Sequence, residues 1–181
     1  KGKTFYIDAT CNHIPYTYTP QHIQGSEAMI ENGDKPLLQI VPQQKADASI
    51  DSLAYQYHLQ GDALAGKATY QLRGDMKEWF MSIIDDAGNK NSDDILANNL
   101  NADTHNMTVS DVKWTDQDAR HEWARFTGNV VNKPAVQQMD GEIYIELNPH
   151  NNLFDNRIDT TGRSNDYYFP VRCNIVRQAS L

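Results

Sequence analysis

The stretch Ser52-Leu-Ala-Tyr-Gln-Tyr-His-Leu59 decides the fold, because large apolar side chains occupy every second position. In an extended strand this spacing puts Leu53, Tyr55, Tyr57 and Leu59 on one face. Beyond the turn signal Gly61-Asp62, the same alternation returns at Ala68, Tyr70 and Leu72. The two segments therefore predict an antiparallel pair of strands.

Two short helices are predicted after this pair. Asp75 precedes Glu78 by three residues, which is the spacing of a capping box with Asp75 as the cap. Apolar residues then recur at helical spacing up to Ala87, with Gly88 as a stop signal. We expect this helix to dock on the sheet through Trp79 or Phe80. A second, weaker helix is predicted from Ser92, as its cap, to about Leu100.

Strand periodicity returns from Thr104. Met107 and Val109 share one face, whereas Val112 and Trp114 are out of phase, which predicts a bulge near Ser110-Asp111. Further strands are predicted at His121–Val131 and at Glu142–Leu147, the second after an Asp140-Gly141 turn. The order predicts an α+β fold that is mostly antiparallel β and resembles a β-sandwich, with one or two short helices inserted between strand pairs.

The N-terminal part has a pattern of its own. Phe5 and Ile7 predict a short strand, and Asn32-Gly33 between two apolar runs predicts a hairpin. Pro42–Ala46 lacks periodicity, so we place a boundary there, between residues 1–45 and 46–181. We expect residues 1–41 to pack on the following domain or on a second copy of the chain, as a homodimer, because these residues are too apolar to stay solvated: Phe5, Ile7, Met29, Ile30, Leu37, Leu38 and Ile40.

Composition excludes some classes of partner. The chain has 181 residues and a formal net charge of −8, which argues against nucleic acid or an anionic membrane as a partner, since both need a basic surface. No apolar run approaches the roughly 20 residues of a membrane span, which argues against membrane insertion. Cys11 and Cys173 permit one disulfide, but two free thiols are favoured because lone cysteines are often simply buried.

The stretch Lys3-Thr-Phe-Tyr-Ile-Asp-Ala-Thr10 resembles the last catalytic strand of transglutaminase-like domains, which carries the pattern G-K-x-[YWF]-x-x-D-[AP]-T. The resemblance implies that Asp8 is the carboxylate of a Cys-His-Asp triad and orients its imidazole. Cys11 does not qualify as the nucleophile, because in that family the Cys and the His both precede the Asp. Alternatively, Asp8 is a turn residue whose carboxylate binds nearby backbone amides.

Further stretches resemble the end of large bacterial envelope proteins, in which a β-rich domain of unknown function follows the transglutaminase-like domain. They are Tyr18-Thr-Pro20 to Gly25, Leu64 to Arg73, Glu142 to Pro149, Asn156-Arg157 and Phe169-Pro170-Val171. Arg157 stands where that family has Pro, and Arg163 lies too far from Pro170. The resemblance implies a C-terminal fragment located in the periplasm or cell envelope, whose first partner is the missing catalytic domain of the same polypeptide.

Other motifs give no site. The scatter of His13, His22, His58, His105, His121 and His150 has no metal-ligand spacing, and no motif indicates a cofactor. His121-Glu-Trp-Ala-Arg125 has Arg where a zinc helix needs its second His. Tyr55, Tyr57 and Tyr70 are more typical of packing than of a sugar platform. The sequence thus favours a non-catalytic accessory module of a transglutaminase-like protein, and alternatively a binding module for an envelope glycan or protein.

Overall fold

The computed structural model describes residues 4–88, 91–101, 107–147 and 172–181. Two α-helices, nine strands and two 3-10 turns, Gln21–Ile23 and Ala46–Ala48, lie in these ranges. In chain order the α-helices and strands are β1 Glu27–Ile30, β2 Leu37–Ile40, β3 Ile50–Gln60, β4 Ala63–Arg73, α1 Asp75–Ala87, α2 Ser92–Leu100, β5 Met107–Asp116, β6 Trp123–Asn132, β7 Val136–Met139, β8 Glu142–Ile145 and β9 Asn174–Ser180. None of the described helices is long and apolar enough to cross a membrane.

A five-stranded sheet with the order β5-β6-β4-β3-β9 carries the fold. The predicted pair is confirmed: β3 and β4 are antiparallel from Ile50 opposite Arg73 to Gln60 opposite Ala63. β9 lies parallel to β3 at one edge, a pairing between distant parts of the chain that local periodicity does not predict. The strands β1–β2 and β7–β8 form two separate hairpins. The α+β class and the mostly antiparallel sheet are therefore confirmed.

The core lies between the sheet and a second layer. Both predicted helices are present between the strand pairs, and the second layer combines them with apolar residues of the β7–β8 hairpin rather than a complete second sheet. Phe80 is buried and stacks on Phe126 at 5.4 Å, whereas Trp79 is 62% exposed. Tyr55, Tyr57 and Tyr70 are buried too, which confirms that they pack in the core.

The start of α1 departs from the predicted capping box. Gly74, with a φ of 63°, takes the cap position, and Asp75 is already helical. The free amides of the first turn are satisfied from elsewhere: Asp75 N donates to the Tyr18 hydroxyl at 3.3 Å, and Met76 N donates to Ser49 Oγ at 3.2 Å. A Cβ at residue 74 would lie 2.6 Å from Ala48 O, so only glycine fits there. The second helix is likewise capped one residue earlier than predicted, at Asn91 rather than Ser92.

In the N-terminal part, the hairpin prediction is confirmed and the strand prediction at Phe5–Ile7 is wrong. β1 and β2 pair from Glu27 opposite Ile40 to Ile30 opposite Leu37. Residues 4–8 are not in a strand, because they have no strand partner in the described part of the chain. The Phe5 ring instead packs edge-on against Tyr16 at 5.2 Å.

The predicted bulge in β5 is confirmed. Ser110 lies opposite Asn129 and Lys113 opposite Thr127, so Asp111 and Val112 together oppose one residue of β6. Asp111 has a φ of 51° there. The bulge changes the phase of the strand, which brings Trp114 into contact with Phe126 in the core and leaves Lys113 on the opposite face.

Some sequence predictions fall outside the described residues. They concern His105, His150, Pro149, Asn156-Arg157, Arg163 and Phe169-Pro170-Val171. The boundary between residues 1–45 and 46–181 stays a prediction, although the five-stranded sheet begins only at Ile50.

Candidate functional site

Asp8 lies in a turn and contacts an imidazole. Its Oδ1 accepts hydrogen bonds from the amide of Thr10 at 2.8 Å and from the Thr10 hydroxyl at 2.7 Å. Its Oδ2 lies 2.6 Å from Nε2 of His22. These contacts, first those of Thr10 and then that of His22, lower the pKa of Asp8 to about 2. The carboxylate is therefore ionised at any physiological pH and is able to hold an imidazole in one orientation.

Both sequence-based interpretations of Asp8 have a counterpart in this geometry. The Thr10 contacts are those of an Asx turn, and the His22 contact is that of a carboxylate that orients an imidazole. His22, however, follows Asp8 by 14 residues, whereas the family pattern puts its catalytic His before the Asp. The role of Asp8 in a triad thus stays a prediction, and His22 is a partner that the sequence did not indicate.

Cys11 follows Asp8 in the same turn, and its amide donates to the Asp8 carbonyl at 3.3 Å. Partial burial, helped by the negative charges of Glu78, Asp8 and Asp75, raises the pKa of the Cys11 thiol to about 11. A catalytic cysteine needs the opposite shift, since the thiolate is the nucleophile. Cys11 and Cys173 are both free thiols, and burial also raises the pKa of Cys173.

The segment that carries Asp8 and His22 is fastened to the first turn of α1. The two Glu78 carboxylate oxygens accept the amides of Asn12 at 3.0 Å and His13 at 2.7 Å. The Asp75 carboxylate accepts the Tyr18 hydroxyl and, at 3.0 Å, the amide of Gln21. Both acids of the supposed capping box therefore bind the N-terminal segment. We call these contacts of Glu78 and Asp75 the N-terminal clasp.

The clasp shows that residues 12–21 contact α1, but most of the apolar residues from which the sequence predicted packing of residues 1–41 are exposed. Met29, Leu38 and Ile40 are 74%, 70% and 56% exposed, and Phe5, Ile7 and Leu37 are exposed as well. Tyr18 is buried instead, with its ring close to Gly74. Apolar content alone did not show which side chains pack, because the attachment is made by carboxylates and backbone amides.

Replacing Glu78 by alanine is expected to release the segment around Asn12 and His13. Both lost hydrogen bonds join a backbone amide to a charged carboxylate. Hydrogen exchange of these two amides should therefore accelerate at least about tenfold. Asp86→Ala removes an equal charge from the same helix at an exposed position and serves as the control. Unchanged exchange at Asn12 and His13 in the Glu78 variant would show that other contacts hold the segment.

The same first turn of α1 contains a buried lysine. Lys77 is fully buried, and its Nζ donates to three backbone carbonyls: those of Asp118 at 3.0 Å, Ala119 at 3.2 Å and His121 at 2.7 Å. Burial lowers the pKa of Lys77. The ammonium thus organises the loop between β5 and β6, where the His121 ring lies 2.9 Å from Asp116. His121–Arg125 is loop and strand, not a zinc helix.

No group of three or more His, Cys, Asp or Glu side chains in the described ranges is arranged to hold a metal ion. His13 pairs with Asp85 at 2.9 Å, His22 with Asp8 and His121 with Asp116, so these three imidazoles lie in different clusters. The tripeptide Arg73-Gly74-Asp75 forms the β4–α1 junction, with Asp75 in the clasp.

Comparisons with protein-family models, with curated proteins and with solved structures find no match to this chain. The relation to transglutaminase-like envelope proteins therefore stays a prediction that rests on the quoted sequence motifs.

Proposed function

We propose that this chain is a non-catalytic accessory module of a transglutaminase-like protein of the cell envelope, which holds Asp8 in place for a catalytic domain. The N-terminal clasp carries the proposal. Residues 12–21 are bound by two carboxylates of α1, so the turn that contains Asp8 is fastened to the β-rich domain. An orienting carboxylate needs such a fixed position.

The protonation of the Cys11 thiol supports the proposal that this chain is not catalytic on its own. A thiol with a pKa of about 11 is protonated at neutral pH, and Cys-His-Asp chemistry requires a thiolate. In this proposal the Cys and the His come from the catalytic domain. That domain acts on peptide or protein amides as a hydrolase rather than as a cross-linking enzyme.

The test has two arms. The purified chain should release no ammonia from a glutamine peptide. Cys11 should react with iodoacetamide roughly tenfold more slowly at pH 8 than a thiol of pKa 9, because its thiolate fraction is about 100-fold smaller and the greater nucleophilicity of a more basic thiolate recovers only about tenfold. Cys173→Ser isolates the Cys11 signal for this measurement. Turnover that alkylation of Cys11 abolishes would make the chain itself an enzyme and overturn the proposal.

The second arm concerns the longer protein. The coding sequence upstream of Lys1 should contain a Cys at a helix start and then a His. In that protein Asp8→Asn should lower turnover by orders of magnitude without unfolding it, because an amide cannot stabilise the imidazolium as a carboxylate does. Wild-type turnover in the Asp8 variant would reduce Asp8 to a turn residue.

A second candidate function is a binding module for an envelope glycan or protein, and the free face of the sheet favours it. The helices cover one face only, and the opposite face is polar and accessible along three strands. Its side chains include Gln56, His58, Lys67, Thr69, Gln71, Arg125 and Asn129. Such a face presents many hydrogen-bonding groups on a rigid scaffold.

We also propose a homodimer through residues 1–41, at the β1–β2 hairpin. Met29 lies directly opposite Leu38, and both side chains are exposed next to the exposed Ile40. An apolar cluster of this kind gains from burial against a second copy. Met29→Lys should convert a dimer into a monomer in sedimentation analysis. A wild-type chain that sediments as a monomer at all concentrations would contradict the proposal.

A further inference from the structure

The sheet face away from the helices contains a cleft of about 470 Å³ beside the bulge of β5. Its lining comes from three neighbouring strands: Lys67 of β4, Asp111, Val112 and Lys113 of β5, and Thr127, Gly128 and Asn129 of β6. A cleft of this size is sufficient for a ligand as large as a monosaccharide.

The two lysines flank the cleft from opposite sides. Lys67 lies directly across from Asn129 on one side of β6, and Lys113 lies directly across from Thr127 on the other. Lys113 reaches this face only because the bulge shifts the phase of β5. Neither ammonium takes part in an ion pair within the described ranges. Both are exposed in a chain whose net charge is −8.

A buried hydroxyl supplies the second, independent observation. Thr127 is 5% exposed, and its Oγ1 has no hydrogen-bond partner among the residues that the structure describes. An unsatisfied buried hydroxyl costs free energy. Because Thr127 lines the cleft, a rotation about its χ1 angle that turns Oγ1 toward a ligand oxygen bound there would give the hydroxyl the acceptor that it lacks. The one carboxylate of the cleft, that of Asp111, accepts the side-chain amide of Asn129 at 2.7 Å, and this bond holds it beside β6.

We propose that the cleft binds a phosphate group carried by a small sugar, with Lys67 and Lys113 as the cationic contacts and Thr127 as a hydroxyl donor. Two ammoniums and a hydroxyl match the oxygens of a tetrahedral oxyanion. The remaining volume accommodates the sugar. The site does not depend on the accessory role proposed above, and it gives the second candidate function a ligand class.

Titrations of the full chain with three probes test the site: glucose 6-phosphate, inorganic phosphate and glucose. Glucose 6-phosphate should shift the amide resonances of Lys113, Thr127 and Asn129, and glucose should not. Equal affinity for inorganic phosphate would identify free phosphate as the source of the group. Absence of shifts at these amides with both phosphate probes would overturn the proposal.

Substitutions distinguish binding in this cleft from a general effect of the protein's charge on the ligand. Lys67→Gln and Lys113→Gln should each weaken binding of glucose 6-phosphate at least tenfold, whereas Lys45→Gln, remote from the cleft, should leave it unchanged. Thr127→Val should also weaken binding about tenfold, yet leave the ligand-free chain equally or more stable, because it removes an unsatisfied buried hydroxyl. Equal weakening in all three lysine variants, or unchanged binding in both cleft lysine variants, would contradict the site.

Discussion

Replacing Phe80 by alanine is expected to lower the free energy of unfolding by about 3–5 kcal/mol. The ring stacks on Phe126 at 5.4 Å and meets Trp114 edge-on at 6.3 Å, so its removal leaves a cavity among aromatic neighbours that cannot close around it. Trp79→Ala is the matched control one residue away. Because its ring is 62% exposed, that variant should change the free energy of unfolding by only about 0.5 kcal/mol.

Urea unfolding of both variants measures this difference. A loss of 3–5 kcal/mol is a large share of a typical domain's stability, so Phe80→Leu, expected to cost less than about 1.5 kcal/mol, keeps the comparison measurable if the alanine variant does not fold. Equal midpoints for the Phe80 and Trp79 variants would show that α1 does not dock through Phe80.

The second large effect is alkaline unfolding. Burial raises the pKa of four tyrosines, Tyr18, Tyr55, Tyr57 and Tyr70, above the ordinary value of 10. Above pH 10 the unfolded chain loses phenolic protons that the folded chain retains, so the free energy of unfolding falls as the pH rises. Each tyrosine contributes a slope of up to about 1.4 kcal/mol per pH unit, so we expect a total near 5 kcal/mol per unit.

Tyr57→Phe tests the origin of this slope. The Tyr57 hydroxyl is buried without a partner in the described part of the chain, so its loss should not reduce stability at pH 7 but should make the alkaline slope about a quarter shallower. An identical slope in the Tyr57 variant would show that this phenol is already ionised or accessible.

Local sequence patterns predicted the elements that depend on neighbours in sequence. Strand alternation indicated β3 and β4, helical spacing with Gly88 indicated α1, and a change of phase at Ser110-Asp111 indicated the bulge. These patterns express the periodicity of side chains on one element, which is a property of the backbone geometry.

Contacts between distant residues could not be predicted in this way. The Asp75–Glu78 spacing matches a capping box, but both carboxylates bind residues more than 50 positions earlier. Phe80 and Trp79 are adjacent and equally aromatic, and only the direction of α1 against the sheet decides which ring is buried. The cleft depends on three strands in register, and no single segment of sequence contains it.

The first turn of α1 has a consequence for the order of folding. Four consecutive residues bind four remote parts of the chain: Asp75 binds Gln21, Met76 binds Ser49, Lys77 binds Asp118 to His121, and Glu78 binds Asn12 and His13. The sequence separations range from 27 to 66 residues, and closing such loops costs chain entropy before the contacts form. We therefore expect this turn to consolidate after the β3–β4 pair, as a late step that the N-terminal segment and the β5–β6 loop complete together.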